Sequence, residues 1–356
     1  MEASKTKMNP NRERSVSELD LLTSSYDFEL PDDYIAREPA SPRDSARLMV
    51  YDRLKDQITH STFDNLLSFI PNSCDIFLND TRVIKARVYG NKKSGGKIEL
   101  LLNKALEDDI FQVMIKGKVH VGSVIVFAED LRAEVLSLER DGSRKVRFYQ
   151  NERELDFHSL IEILEKIGHI PLPPYMRRES TEKDENEYQT VFSRCAGAVA
   201  APTASLHFTE NLLARMKERF RVHTLTLHVG AGTFKPVESS SILRHSMHSE
   251  YFDIPEKSAL ALKKAHRVMA VGTTVTRTIE YFHRTGKTKG ECDIFLHPAN
   301  TPKKVDILLT NFHLPRSTLI MLVSSFVGRE KVLELYREAV DKRYRFYSYG
   351  DAMLII

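Results

Sequence analysis

Asn311 and His313 place an amide and an imidazole directly after an apolar run and just before a helix, in the stretch Leu308–Gly328, LLTNFHLPRSTLIMLVSSFVG. An imidazole in that position can exchange a proton, and an amide can both donate and accept a hydrogen bond from a ligand. Asp306–Thr310 reads as the preceding buried strand. Ser317 and Thr318 are N-cap candidates for the apolar helix that Gly328 closes. Open α/β sheets bind ligands at such strand ends. A polar loop without chemistry is the alternative, but the chain repeats the arrangement elsewhere.

Asp80 and Arg82 follow the strand Asp75–Leu78, either as a turn ion pair or with Asp80 as a carboxylate that moves a proton or binds a ribose. Gly272-Thr273-Thr274 lies between a strand and a helix, where backbone N–H groups and two hydroxyls suit an anion or serve as a plain cap. Along Thr224–Val229, period two puts Leu225, Leu227 and Val229 on one face and Thr224, Thr226 and His228 on the other. That second face meets solvent or a polar cavity. Gly230-Ala231-Gly232 follows the strand but is not a dinucleotide fingerprint. Its third glycine position is Lys235, and Pro236 stands where a helix should be under way. The glycines instead let the backbone pass close to a ligand, with Thr233 and Lys235 offering a hydroxyl and a cation. His245, His248 and Glu250 are spaced by three and two, which suits neither a helix face nor a strand, so acid–base or hydrogen-bonding roles are expected and no metal is assigned.

The elements that must position these groups fall into two kinds. Lys85–Gln150 carries short alternating runs (Lys97–Leu102, Phe111–Ile115, Ser123–Phe127, Arg132–Leu138, Lys145–Tyr149), several of them separated by glycine turns. A helix over Phe157–Ile167 and a proline-fixed extended link at Ile170–Pro174 follow. From Gln189 the pattern is mixed α/β. Thr209 caps a helix over Glu210–Phe220, and helices are expected at Lys257–Ala265, Val275–Arg284 and Arg329–Tyr344. Strands are expected at Val222–Val229, Val268–Gly272, Ile294–Leu296, Asp306–Thr310 and Ala352–Ile356. The expected architecture is a mixed α/β barrel-like core, residues 23–84 and 160–356, with a small antiparallel β-barrel inserted at 85–159. Residues 1–22 are polar and read as a disordered extension.

The 356 residues carry 52 Lys plus Arg against 49 Asp plus Glu, so a nucleic-acid partner must be met by local basic patches. Cys74, Cys195 and Cys292 are isolated, which argues against a structural zinc or a disulfide framework and fits a reducing compartment. No run approaches the roughly 18 apolar residues of a membrane span, and the first 22 residues lack the apolar core of a signal peptide.

Several blocks of this sequence resemble the S-adenosylmethionine:tRNA ribosyltransferase-isomerase family. They are YDFELPDDYIA (26–36), FLNDTRVIKAR (77–87), GAVAAPTASLHFTE (197–210), LHVGAGTFKPV (227–237), HSMHSEYFDI (245–254), AVGTTVTRTIE (270–280), NFHLPRSTLIMLVSSFVG (311–328) and YRFYSYGDAMLI (344–355). The resemblance implies an enzyme that moves the ribosyl moiety of S-adenosylmethionine onto 7-aminomethyl-7-deazaguanine at the tRNA wobble position. Epoxyqueuosine-tRNA, adenine and methionine are the products. Adenosylmethionine is then a consumed co-substrate, no resident cofactor is expected, and the enzyme would be a cytoplasmic monomer without a membrane. On this reading His313 and Asp80 transfer protons, with His228 and Glu250 as further catalytic candidates. Asn311, Thr233 and Thr273 orient adenosylmethionine, and Lys235, Arg82 and Arg316 meet phosphate. His207 and His248 are further substrate-binding candidates. An adenosylmethionine-dependent RNA methyltransferase is disfavoured by the missing glycine fingerprint. A non-catalytic RNA-binding protein is disfavoured because the β-rich insert lacks dense aromatic and basic interleaving.

Overall fold

Apolar residues alternate onto both faces of the core strands, so the sheet they form must be covered on both sides. A computed structural model describes residues 15–230, 232 and 237–356 of the chain. First come β1 (Arg47–Asp52), β2 (Gln57–Thr62), the short helix α1 (Leu66–Phe69), β3 (Asp75–Asn79) and β4 (Thr81–Val83). Then follow β5 (Arg87–Lys92), β6 (Lys97–Ala105), β7 (Ile110–Lys116), β8 (Val124–Val126), β9 (Leu131–Leu138), β10 (Arg144–Gln150) and β11 (Arg153–Glu154), with α2 (Phe157–Ile167) and α3 (Glu182–Glu187) after them. The remainder is β12 (Cys195–Ala198), α4 (Glu210–Arg219), β13 (Arg221–Leu227), β14 (Glu250–Asp253), α5 (Glu256–Lys264), β15 (Val268–Val271), α6 (Thr273–Thr285), β16 (Lys289–Cys292), β17 (Ile307–Asn311), α7 (Thr318–Val327), α8 (Arg329–Asp341) and β18 (Ala352–Ile355).

Nine strands form one mixed sheet in the order β16-β14-β13-β3-β15-β17-β18-β1-β2. Its centre, β13-β3-β15-β17, is parallel throughout. Parallel pairing brings the C-terminal ends of these four strands, and the candidate groups that follow them, to one edge. Phe77, Ala270 and Leu308 pack on one face with Leu262, Ile279, Met321 and Leu335 of α5 to α8. Leu78, Met269 and Leu309 pack on the other with Leu66, Leu212 and Met216 of α1 and α4. Each buried side chain of this size contributes roughly 1.5–3 kcal/mol, so the edge carrying the candidate groups rests on a firmly held platform.

The second sheet closes on itself. The strands run β10-β7-β6-β5-β8-β9, and the pairing of β10 with β9 completes a six-stranded antiparallel barrel. Closure removes exposed edges. Leu100, Leu102, Phe111, Val113, Val135, Val146 and Phe148 fill the interior. A Cβ at Gly90 would lie 2.6 Å from Phe127, so only glycine lets β5 pass that ring. Leu160, Ile163 and Leu164 of α2 join the same apolar cluster, which carries the packing seam past residue 159.

Three local expectations change. Ile294–Leu296 is not a strand: the Ile294 carbonyl accepts from Arg277 Nε at 3.1 Å, and Leu296 packs in the core. The strand is the polar edge segment Lys289–Cys292, which has no apolar alternation to announce it. The N-terminal extension is not disordered throughout. Ser17 caps a 3-10 turn over Glu18–Leu21, Asp20 accepts from Arg329 Nε at 3.0 Å, and Leu22 bridges Ser241. Residues 1–14 lie outside the described residues. Among the described residues no helix is long and apolar enough to cross a membrane.

Candidate functional site

Asn79, the last residue of β3, ties the strand ends together. Its Oδ1 accepts from the N–H groups of Leu227 (3.0 Å) and Thr81 (3.1 Å), and its Nδ2 donates to the Leu227 carbonyl at 2.9 Å. β15 is followed by Gly272, whose φ of +101° suits glycine and turns the chain into α6 at Thr273. β17 delivers Asn311 and, two residues on, His313. Thr273, Thr274, Thr310, Asn311, His313, Thr203, Tyr347 and Ser348 line a narrow pocket of about 50 Å³ at this edge, beside the N-terminus of α6.

Among the described residues the lining of this pocket is uncharged. His313 Nε2 lies 2.8 Å from Thr310 Oγ1, and its backbone N–H donates to Tyr336 Oη at 3.0 Å. Behind it, Thr203 Oγ1 donates to Asn311 Oδ1 (2.9 Å), and Asn311 Nδ2 donates to His207 Nε2 (3.2 Å). Burial pushes both His207 and His313 down to about 3, so both rings are uncharged at neutral pH. Among the described residues no aspartate or glutamate lines this pocket.

A second small cavity of about 30 Å³ shares Leu319 with the first and is walled by His245, His248, Glu250, Arg277 and Phe295. Glu250 is held in place. Its Oε1 accepts from the Gly230 N–H at 3.1 Å, and its Oε2 pairs with the guanidinium of buried Arg277. Arg277 also donates to the carbonyls of Cys292 (3.2 Å) and Ile294 (3.1 Å). The ion pair thus holds the carboxylate that anchors Gly230.

Gly232, His248 and Glu250 also line a third cavity, a cleft of about 1040 Å³ between core and barrel. The core supplies His228 and Tyr251, stacked at 5.6 Å with an interplanar angle of 17°, and the barrel supplies Asn103, Lys104, Arg140 and Lys145. Lys104 meets Glu291 at 3.2 Å across the cleft, and Lys145 meets Glu139 at 3.6 Å. His228 is held from two sides. Thr81 Oγ1 lies 2.8 Å from Nδ1, and a Cβ at Gly197 would lie 2.7 Å from Nε2. Burial lowers its pKa, partly offset by the negative charge of Asp80.

The expected residues divide accordingly. Asn311, His313 and Thr273 meet in the narrow pocket, with His207 behind Asn311. His248 and Glu250 lie on the shared wall, and His228 faces the cleft. Asp80 lines none of the three cavities. It accepts from Arg194 Nη2 at 2.6 Å and from Thr226 Oγ1 at 2.7 Å, and reaches the site only through its field on His228. Arg82 pairs with Glu165 at 3.6 Å and Arg316 with Asp27 at 3.5 Å, both at the surface and outside the three cavities. Thr233 and Lys235 lie outside the described residues. Sequence reasoning passed over Asn79, Thr203, Arg277 and Tyr347. Only Arg277 left a trace, as a basic residue amid the apolar positions of α6.

The family model for the queuosine biosynthesis protein matches residues 23–355. The S-adenosylmethionine:tRNA ribosyltransferase-isomerase of Aliarcobacter butzleri is 61% identical over 336 residues, spanning 94% of this chain and 99% of that protein. Its counterpart from Nitratiruptor is 57% identical over the same shares of the two chains. A crystal structure of S-adenosylmethionine tRNA ribosyltransferase from Thermotoga maritima, 35% identical, aligns with a TM-score of 0.51 over 93% of this chain and 99% of that one.

Proposed function

The chain belongs to the queuosine biosynthesis protein family, and we propose that it is an S-adenosylmethionine:tRNA ribosyltransferase-isomerase. On this reading it transfers the ribosyl moiety of adenosylmethionine to 7-aminomethyl-7-deazaguanine at the tRNA wobble position. It isomerises that moiety to give epoxyqueuosine-tRNA, and releases adenine and methionine.

The chemistry sets three demands. The sulfonium acidifies the neighbouring ribose C5′ hydrogens, and a base must take one. Departing adenine needs a proton or hydrogen bond on a ring nitrogen. The aminomethyl nitrogen must be neutral to attack. In our reading the methionine end of adenosylmethionine enters the narrow pocket, where Asn311, Thr203, Thr273 and the N-terminus of α6 suit its charged groups. The ribose then points along the shared wall to the cleft, which takes the tRNA base. His313, held uncharged at neutral pH, is a hydrogen-bonding partner in this scheme. His228, which lines the cleft, is the base for the aminomethyl group of the tRNA base: burial keeps it unprotonated at neutral pH, Thr81 engages Nδ1, and Nε2 is the nitrogen offered to substrate. Asp80 tunes His228 and does not touch substrate.

One observation carries the reading: the three cavities are neighbours in series, the first two sharing Leu319 as a wall and the second and third sharing Gly232, His248 and Glu250. A small co-substrate and a macromolecular base can therefore meet across one wall. Incubation with adenosylmethionine and tRNA bearing the deazaguanine tests it. Adenine among the products supports the reading, S-adenosylhomocysteine would indicate methyl transfer, and neither would leave a binding protein. We further read the enzyme as a cytoplasmic monomer that needs no resident cofactor. Sedimentation with and without tRNA tests the stoichiometry, and activity after exhaustive chelation tests the cofactor.

A further inference from the structure

We propose that Tyr347 is a binding residue for the sulfonium of adenosylmethionine, its ring supplying the electron-rich face that the other walls of the narrow pocket lack. The inference rests on the assignment of that pocket to adenosylmethionine.

Three observations support it. Tyr347 has a φ of +76°, in the left-handed region where glycine is at ease and a bulky side chain is strained. The turn is clamped on both sides, since the Tyr347 N–H donates to the Phe312 carbonyl and the Gly350 N–H donates to the Tyr347 carbonyl, each at 2.9 Å. That clamp sets Tyr347 beside the exit of β17, next to His313. Second, the ring is braced. Tyr175, from the proline-fixed segment after the barrel, makes a T-shaped contact with it, 3.8 Å between centroids and 85° between planes. Tyr347 meanwhile lines the pocket with Asn311, His313 and Ser348. Third, a cation entering this pocket finds no carboxylate among the described lining residues. Hydroxyls, an amide and an uncharged imidazole offer dipoles, and the aromatic face of Tyr347 offers the quadrupole that attracts an onium group. Among the described lining residues, the ring of Tyr347 is the group that can attract an onium ion.

The test is calorimetric titration with adenosylmethionine and with S-adenosylhomocysteine, which lacks the methyl group and the positive charge. Wild type, Tyr347→Phe and Tyr347→Leu are compared, with the melting temperature of each. Phe should keep both affinities within about twofold, and Leu should weaken adenosylmethionine about tenfold while leaving the neutral thioether nearly unchanged. Equal weakening of both ligands by Leu would overturn the proposal, because the ring would then be stacking on adenine or merely shaping the pocket. Unchanged adenosylmethionine affinity would also overturn it. If Leu lowers the melting temperature, Tyr347→Gly, which relieves the left-handed strain, must show the same charge-selective loss, and wild-type binding by Gly would overturn the proposal. Failure of the wild-type protein to bind adenosylmethionine would instead refute the pocket assignment itself.

Discussion

In the narrow pocket the walls are threonine hydroxyls, the Asn311 amide and the uncharged imidazole of His313; in the cleft they include Lys104, Arg140, Lys145, Glu139 and Glu291. The pocket sits on the ends of four parallel strands and its groups are locked by hydrogen bonds, as in Thr203–Asn311–His207. The cleft lies between core and barrel, and its Lys104 and Lys145 sit in partly exposed pairs with Glu291 and Glu139. A preorganised, neutral pocket suits a small zwitterion, because fixed dipoles need no reorganisation. A wide, charged cleft suits a polyanion, whose phosphates can displace weak surface pairs and whose binding follows salt. On the proposed reading the contrast sets two substrates of different physics on either side of one wall, of which Glu250–Arg277 is the fixed part.

The largest effect is expected at the cleft side of that wall. His228→Ala should lower single-turnover adenine release by about 10²–10⁴-fold while adenosylmethionine affinity stays near wild type. Because burial lowers the His228 pKa, the acid limb of the pH–rate profile should fall below 6.5. Asp80 raises that pKa, so Asp80→Asn should move the limb to still lower pH. A limb that stays put would remove Asp80 from any tuning role.

Next comes the wall itself. Arg277→Met leaves Glu250 buried without its partner and should cost about 3–5 kcal/mol in urea unfolding. Adding Glu250→Gln should recover part of the loss, and additive losses would mean that the two groups act independently.

The neutral side predicts a pH dependence of stability. His207 and His313 have folded values near 3, below the unfolded value of 6.5, so the unfolded chain binds more protons between these limits. Their contribution is complete above pH 6.5 and is lost as pH falls towards 3, by about 1.4 kcal/mol per pH unit for each ring. Urea midpoints recorded from pH 7 down to pH 5 should fall accordingly, and less steeply in His207→Gln. An identical slope in that variant would count against the neutral pocket.

Two regions outside the comparison should behave more quietly. Deleting residues 1–21 removes the Asp20 partner of nearly buried Arg329 and should lower stability by roughly 1–3 kcal/mol, with adenosylmethionine affinity retained. An unchanged unfolding midpoint would show that the docked segment adds nothing. Smallest of all, Arg82→Ala and Arg316→Ala should each cost less than about 1 kcal/mol and leave the salt dependence of tRNA binding unchanged. Lys145→Ala should reduce its log–log slope by about 1.

Much of the architecture was legible because periodicity reports burial. The alternating runs between Lys97 and Tyr149 became β6 to β10, and the Thr224–Val229 alternation separated Leu225 and Leu227 from Thr226 and His228. Polar edges were not legible. β16 reads Lys-Gly-Glu-Cys and carries no pattern, whereas the apolar Ile294–Leu296 looked like a strand and is irregular. At the site, local caps could be read, and Ser317 accepts from the Ile320 N–H as expected. Partners distant in sequence could not. Asp80 and Arg82 could be read as a turn pair or as a functional carboxylate beside a cation, but Asp80 lies before β4, buried against Thr226, while Arg82 is the outward residue of β4, so their partners are Arg194 and Glu165. Tyr347 gave no signal because its left-handed backbone is a property of the turn, with nothing in the residue type to mark it.

The most direct test of two ligands meeting across one wall is equilibrium binding of both to a single pocket-filling variant, Thr274→Leu. Thr274 lines the narrow pocket and not the cleft. Adenosylmethionine affinity should fall by about tenfold or more while tRNA affinity stays within about twofold of wild type. Loss of tRNA binding with adenosylmethionine binding intact would contradict the account.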